Sequence, residues 1–220
     1  MGNGSVTDAG QSALVTRVPL MSEQEQPVFL YDFNSPYAYL AATRIDEVLP
    51  VKPRWQPIAF AFMLRAHNRS PWSFDERERR AGIAECERRA ESYGLPPMRW
   101  PPGWPIESYG LTSLRAAIVA ENQGLLREFS RAAFARNFLH GLGLKELGDV
   151  LAVAEEVGLD QDTVNDGVTA EDIKNQLTAA TEAAIATGAV GVPTVLASGQ
   201  SFWGDDHLEA AAAAIRENRL

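Results

Sequence analysis

The chain has 220 residues, 45% hydrophobic and 22% charged, a composition that excludes a disordered polymer and fits one large domain or two small ones. Its 20 Lys and Arg against 29 Asp and Glu give a formal charge of −9, so the basic footprint of a nucleic-acid binder is missing; no apolar run approaches the ~18 residues of a membrane span. One cysteine, Cys86, and three scattered histidines, His67, His140 and His207, exclude an internal disulfide or dithiol and leave little material for a metal site, so none is expected.

Residues 1–26 are polar and aperiodic and lack the basic start and ~7–15-residue apolar centre of a secretory signal. They are expected to be a flexible tail on a cytoplasmic protein whose single ordered domain is 27–220. Val28 to Phe33 is a short apolar, aromatic run suited to a buried strand. Asn34-Ser35-Pro36 follows at once, with Ser35 suited to cap, and Pro36 to begin, a helix ending near Leu49. Val51 to Pro57 reads as a second strand, placed at an edge or bulge by Pro53. Ile58 to Ala66 reads as helix. Ser73 with Glu76 has the capping-box spacing that would open a charged helix to about Tyr93, its mixed charges marking a solvated face and Cys86 a packing residue within it.

A Pro- and Trp-rich loop, Leu95 to Ile106, interrupts the helices. Leu111–Asn122, Leu125–His140 and Leu144–Val157 then read as three helices, punctuated by Gly124, Gly141 and Gly158. Thr169 with Asp172 would open a further helix to Gly188. Thr194–Ala197, a turn at Ser198-Gly199-Gln200 and Ser201–Trp203 read as a hairpin, and Gly204-Asp205-Asp206 as the cap of a last helix from His207 to about Arg216. This order describes an α/β fold, a mixed sheet carrying helices, with a large all-helical insertion at about 58–188.

Three separated segments carry a resemblance. Asp32-Phe33-Asn34-Ser35-Pro36-Tyr37-Ala38-Tyr39-Leu40, Gly191-Val192-Pro193-Thr194 and Phe202-Trp203-Gly204-Asp205-Asp206 resemble motifs of the 2-hydroxychromene-2-carboxylate isomerases. Those enzymes and the kappa-class glutathione transferases form a branch of the DsbA-like thioredoxin fold. The resemblance implies a thioredoxin-like sheet with Pro193 in the cis form, glutathione or another low-molecular-weight thiol as cofactor, and a small aromatic or electrophilic substrate. It implies Ser35 as the catalytic group holding the thiol, and Val192, Pro193, Asp205 and Asp206 as thiol-binding residues. It also places Asn68 near the substrate, and relatives suggest a homodimer; neither nucleic acid nor membrane is an expected partner.

The residues themselves allow plainer roles. A thioredoxin-type Cys-x-x-Cys slot here reads Ser35-Pro36-Tyr37-Ala38, which cannot exchange disulfides but sets a hydroxyl at a helix N-terminus, where an anion is favoured. Ser35 is equally a good N-cap, Pro193 a strand start, Asn68 a turn residue, and Asp205 and Asp206 helix-capping acids. Tyr37 and Tyr39 cannot share a helix face, so one of them, taken here as Tyr37, reaches the substrate; Trp55 is core or cleft wall. Besides an isomerase of aromatic catabolism, a kappa-like glutathione S-transferase or a redox-inactive thioredoxin-like peptide-binding module fits these features.

Overall fold

The computed structural model describes residues 26–218. The expected tail, 1–26, lies outside the described residues except for Gln26, whose amide donates to the Lys52 carbonyl at 2.9 Å. Four short strands form one mixed sheet in the order β2-β1-β3-β4. β1 (Val28–Tyr31) runs parallel to β2 (Arg54–Pro57) and antiparallel to β3 (Thr194–Ala197), which pairs antiparallel with β4 (Gln200–Trp203).

β1 is apolar on successive residues because both of its faces are covered. Phe29 and Tyr31 enter an aromatic cluster, with Trp55 at 5.0 and 5.5 Å between ring centroids and Phe134 at 5.6 Å from Tyr31. Leu30, pointing the other way, packs with Ile58, Met63 and Val192. β2 is an edge strand, which accommodates the prolines on and beside it. The β3–β4 turn has two residues, Ser198 and Gly199, both at positive φ (53° and 70°), the backbone whose twist matches a hairpin.

Helix α1 (Pro36–Val48) follows β1, and α9 (Leu208–Glu217) closes the chain against α1 and β3. Between β2 and β3 the regular elements of the described residues are helical: α2 (Phe60–Ala66), α3 (Glu76–Ser92), α4 (Leu111–Asn122), α5 (Leu126–Phe134), α6 (Leu147–Glu156), α7 (Gln161–Gly167) and α8 (Glu171–Ala186). α4 is buried from Ala116 to Ala120 because α5, α6, α7 and α8 all pack on it. The architecture is therefore the α/β, mixed-sheet fold with helical additions that the element order implies.

Several boundaries differ from expectation. α3 is capped by Asp75, whose carboxylate accepts the Arg77 and Glu78 N–H groups at 2.9 Å, while Ser73 is buried in a 3-10 turn, Trp72–Phe74. Asp75 wins because one carboxylate satisfies two of the orphan donors. Thr169 does not open α8; its hydroxyl donates to the Asp166 carbonyl at the end of α7. α7 itself escapes the periodicity because only Val164 within it is buried; Asp160 caps it through the Thr163 N–H at 2.8 Å. The helix expected over Leu125–His140 ends in a π turn, Ala135–Leu139, and the next starts at Leu147 rather than Leu144.

One buried polar bond ties the sheet to the helical layer: the Tyr31 hydroxyl and Ser130 Oγ lie 2.6 Å apart, with both residues fully buried. Ser130→Ala should lower the unfolding free energy by about 1–3 kcal/mol, because it strands a buried phenol. Denaturant melts of the single variant and of Tyr31→Phe/Ser130→Ala check this; the double variant should recover part of the loss.

Candidate active site

Ser35, Tyr37, Val192, Pro193, Asp205 and Asp206 line one cavity of about 860 Å³. Three segments far apart in sequence thus meet where the end of β1, the loop before β3 and the end of β4 adjoin. The Val192–Pro193 peptide is cis.

The turn that presents Ser35 is fixed from several directions. Its N–H donates to the Asp32 carbonyl at 3.1 Å, and the Asn34 N–H donates to Asp32 Oδ1 at 2.9 Å. The Asn34 side chain donates to the Pro105 carbonyl at 2.9 Å and accepts from Ser108 Oγ at 3.0 Å, while the indole of Trp104 donates to the Asn34 carbonyl at 3.1 Å. Asn137 donates to the Phe33 carbonyl at 2.8 Å. Ser35 is only 8% exposed. Its Oγ accepts the Ala38 N–H at 3.2 Å, a helix-capping bond, and donates to the Val192 carbonyl at 3.5 Å, the outer limit of hydrogen bonding. Among the described residues the N–H groups of Tyr37 and Val192 make no hydrogen bond. A hydroxyl proton weakly engaged, a free N–H in the first turn of α1 and a free N–H in the loop before β3 thus belong to residues that line the cavity.

Asp205 is held from within the fold. Its buried carboxylate accepts from Arg89 at 2.8 Å and from the Tyr93 hydroxyl at 2.9 Å, and burial raises its pKa against the pull of these two partners. Only its main chain is left to face a ligand. Asp206 is half-exposed, 3.3 Å from Arg89 and 3.2 Å from His207 Nδ1; burial pushes its pKa up, but Arg89, its own N–H and His207 hold it below the usual carboxylate range. Gly204, at φ 112°, permits this turn, since a Cβ there would stand 2.4 Å from Asp206 Oδ1. Instead of a helix cap, Asp205 and Asp206 begin a 3-10 turn, Asp205–His207, that precedes α9.

Tyr37 and Tyr39 do part company. Tyr37 faces the cavity, edge-on to Trp72 at 6.0 Å and with the Arg89 guanidinium 5.3 Å from its ring, whereas Tyr39 is buried against Phe134 and Phe138. Cys86 is fully buried, and burial pushes its thiol up to about 12, so it packs and does not react. Trp55 is core. Asn68 stands apart from the other candidate residues: it is exposed, in a left-handed turn at φ 50°, and is not among the residues that line the cavity. The turn instead sends Arg69 into the wall, where it donates to the Val190 carbonyl at 2.9 Å and lies 5.3 Å from the Trp203 ring.

Other wall residues had no assigned part. Trp72 and Trp104 lie 5.7 Å apart between ring centroids, and Trp72 fits against α3 only because residue 82 is glycine, where a Cβ would be 2.2 Å from the indole. The clustering of Trp72, Trp100 and Trp104 around a proline-rich stretch is the signal by which an aromatic wall could have been found. Arg89 was submerged in the mixed-charge run of α3. Asp32 sat inside a quoted motif but reads there as the end of a strand.

Asp32 is 2% exposed and lines the cavity floor, its carboxylate accepting from the Asn34 and Phe60 N–H groups. Burial pushes its pKa up to about 6, opposed by those two donors. The folded value exceeds the unfolded one near ~3.9, so the folded state binds the extra proton and the contribution of Asp32 to stability falls as pH rises from about 4 to 6. The loss should reach about 3 kcal/mol at neutral pH. Unfolding free energies of the wild type and Asp32→Asn across that range check this; the variant should lack this downward slope.

Among the described residues, no three His, Cys, Asp or Glu converge as a metal site and no helix is long and apolar enough to cross a membrane. Comparison with known proteins agrees with this geometry. A protein of Sphingobium xenophagum named 2-hydroxychromene-2-carboxylate isomerase is 26% identical over 189 residues, covering 82% of this chain and 93% of its own. A solved 2-hydroxychromene-2-carboxylate isomerase superposes with a TM-score of 0.77 at 21% identity, over 88% of this chain and 95% of the other. The cytosolic disulfide reductase DsbM of Pseudomonas aeruginosa, solved with GSH, superposes with a TM-score of 0.61 at 16% identity, over 89% and 100% of the two chains. The model of the DSBA-like thioredoxin domain matches residues 28–216, from the first strand through nearly all of α9. With the sheet order and the meeting of the three motifs, that match makes this chain a member of the DSBA-like thioredoxin domain family.

Proposed function

We propose that this protein is a thiol-dependent isomerase of aromatic catabolism, which holds glutathione or another low-molecular-weight thiol at Ser35 and interconverts cis and trans forms of a small aromatic or electrophilic substrate. The observation that carries this reading is the Ser35 hydroxyl, the N-cap of α1, opening on an aromatic-walled cavity in the slot where redox-active relatives of the thioredoxin fold carry cysteine. The chain offers no reactive sulfur there, so one must come with a ligand. The naming of the Sphingobium relative as an isomerase and the GSH-bound state of DsbM support the two halves of the reading. A cytoplasmic location, where small thiols stay reduced, suits it.

Glutathione, when bound, supplies a nucleophilic sulfur that adds reversibly to a conjugated double bond and leaves unchanged. The protein's part is to make that sulfur anionic and to hold both reactants. Ser35 Oγ already accepts from Ala38, so its proton is what it has to give, and the 3.5 Å bond to Val192 is readily exchanged for an anionic acceptor. The Tyr37 N–H and the positive end of α1 add to this. Together they lower a thiol pKa of ~8.5 by about one to two units, enough to ionise about a quarter to three quarters of it at neutral pH.

Val192 pairs through its free N–H and its carbonyl with an extended peptide backbone. Asp206 pairs with the ammonium of a γ-glutamyl group, and the Asp205 N–H, also without a partner among the described residues, faces its carboxylate. Trp72, Trp104 and Phe60 exclude water from the electrophile.

Ser35→Ala should lower kcat at saturating thiol by about two orders of magnitude or more if thiolate stabilisation is the main electrostatic term, and the product should carry no sulfur. Steady-state kinetics with product mass analysis decide the matter. Equal rates for the two proteins would overturn the assignment of Ser35, a sulfur-bearing product would mark a kappa-like transferase, and equal preference for glutathione and unrelated extended peptides would mark a binding module.

A further inference from the structure

Two arginines line the main cavity, Arg69 and Arg89. Arg89 is matched by acids, pairing with Glu85, Asp205 and Asp206. Arg69 is exposed and forms no ion pair among the described residues. Its guanidinium is nevertheless held in place. Nη1 donates to the Val190 carbonyl at 2.9 Å, the side chain's one hydrogen bond among the described residues, and the group lies 5.3 Å from the centroid of the Trp203 ring. That indole is seated on Gly191, where a Cβ would stand 2.5 Å from its nitrogen. A guanidinium carries its N–H donors in a planar fork. A fixed cation with most of its donors unused therefore stands beside Val190 and Gly191, immediately before the free N–H of Val192.

We infer that Arg69 binds the C-terminal carboxylate of the thiol peptide, and that Arg69 and Asp206 together select glutathione over thiols that lack one of the two end charges. The inference deepens the reading above and rests on it for the peptide's place at Val192. The direction follows from what flanks Val192. On one side the Pro193 carbonyl accepts the Gly204 N–H at 3.0 Å, which sets the Asp205-Asp206 turn beyond Pro193. On the other side Val190 carries Arg69. An extended peptide bonded to Val192, with its ammonium at Asp206, runs its far end toward Arg69. A carboxylate arriving there meets a fork already stacked on an aromatic face, the arrangement that suits bidentate recognition. A thiol ending in a neutral group would leave Arg69 unpaired.

The test is calorimetric titration of the full chain with glutathione and, separately, with the same peptide bearing a C-terminal amide in place of its glycine carboxylate. Wild type should bind glutathione about 5- to 20-fold more tightly than the amide. Arg69→Met should bind the two alike, at the affinity wild type has for the amide, and Arg69→Lys should recover part of the difference because it keeps the charge but not the fork. The preference should shrink as salt is raised, since the cation is exposed. Equal affinity of wild type for the two peptides would overturn the inference and leave the thiol-binding reading standing. So would Arg69→Met weakening both peptides by the same factor, the mark of a residue that only supports the loop through Val190. No binding of either peptide by wild type would overturn that reading, and the inference with it. A third titration, with 1-naphthoate and no thiol, separates the two reactants: if Arg69→Met loses affinity for the naphthoate but none for glutathione, the cation serves the electrophile and the inference fails.

Discussion

The position of a single hydroxyl depends on how the turn after β1 is tied down. Asp32, Asn34 and Ser35 occupy consecutive corners of that turn, and each is bonded to a different part of the molecule: Asp32 to the start of α2, Asn34 to the Trp104–Ser108 segment, and Ser35 to α1 and the loop before β3. Were any of these links slack, the serine would be an ordinary helix cap exchanging bonds with water. Held as it is, its oxygen accepts from the helix and its proton is spent only on a long bond to the Val192 carbonyl, which is the polarity that the proposed binding of an anionic sulfur requires. The structure thus shows the capping role of Ser35, and the thiol-holding role is the one proposed above.

The opposite wall is organised by charge. Arg89 reaches from α3 to Asp205 and Asp206 and also meets Glu85, whose carboxyl Arg88 and Arg89 together hold at about 2. The Arg44 guanidinium lies 3.8 Å from the Tyr93 ring centroid, and the Tyr93 hydroxyl ends on Asp205. A buried carboxyl group is tolerated in such a place because its partners are fixed donors. The network spends the Asp205 side chain on structure and leaves Asp206 half-exposed in the cavity wall.

Much of this was legible in the chain. The strand–cap–helix junction at Ser35, the hairpin with its two-residue turn and the edge position of β2 follow from local rules of proline, glycine and capping chemistry, and the structure has them at or near the expected residues. What escaped depends on contacts between distant segments. Asn68 was expected near the substrate, and a left-handed turn there sets its neighbour Arg69 in the cavity wall. Arg89 looked like one more surface charge in a mixed-charge helix until Asp205 arrived beside it. α7 was invisible for a simpler reason: a seven-residue helix with one buried side chain has no period to read.

The claim at the centre of this account is that the protein ionises a sulfur it does not own. Ultraviolet absorbance of the thiolate, followed against pH for glutathione bound to the wild-type protein and to Ser35→Ala, measures it directly. An apparent pKa about one to two units below that of a free thiol near ~8.5, returning toward it when the hydroxyl is removed, is the expected result. A bound thiol that titrates like the free one in both proteins would contradict the account.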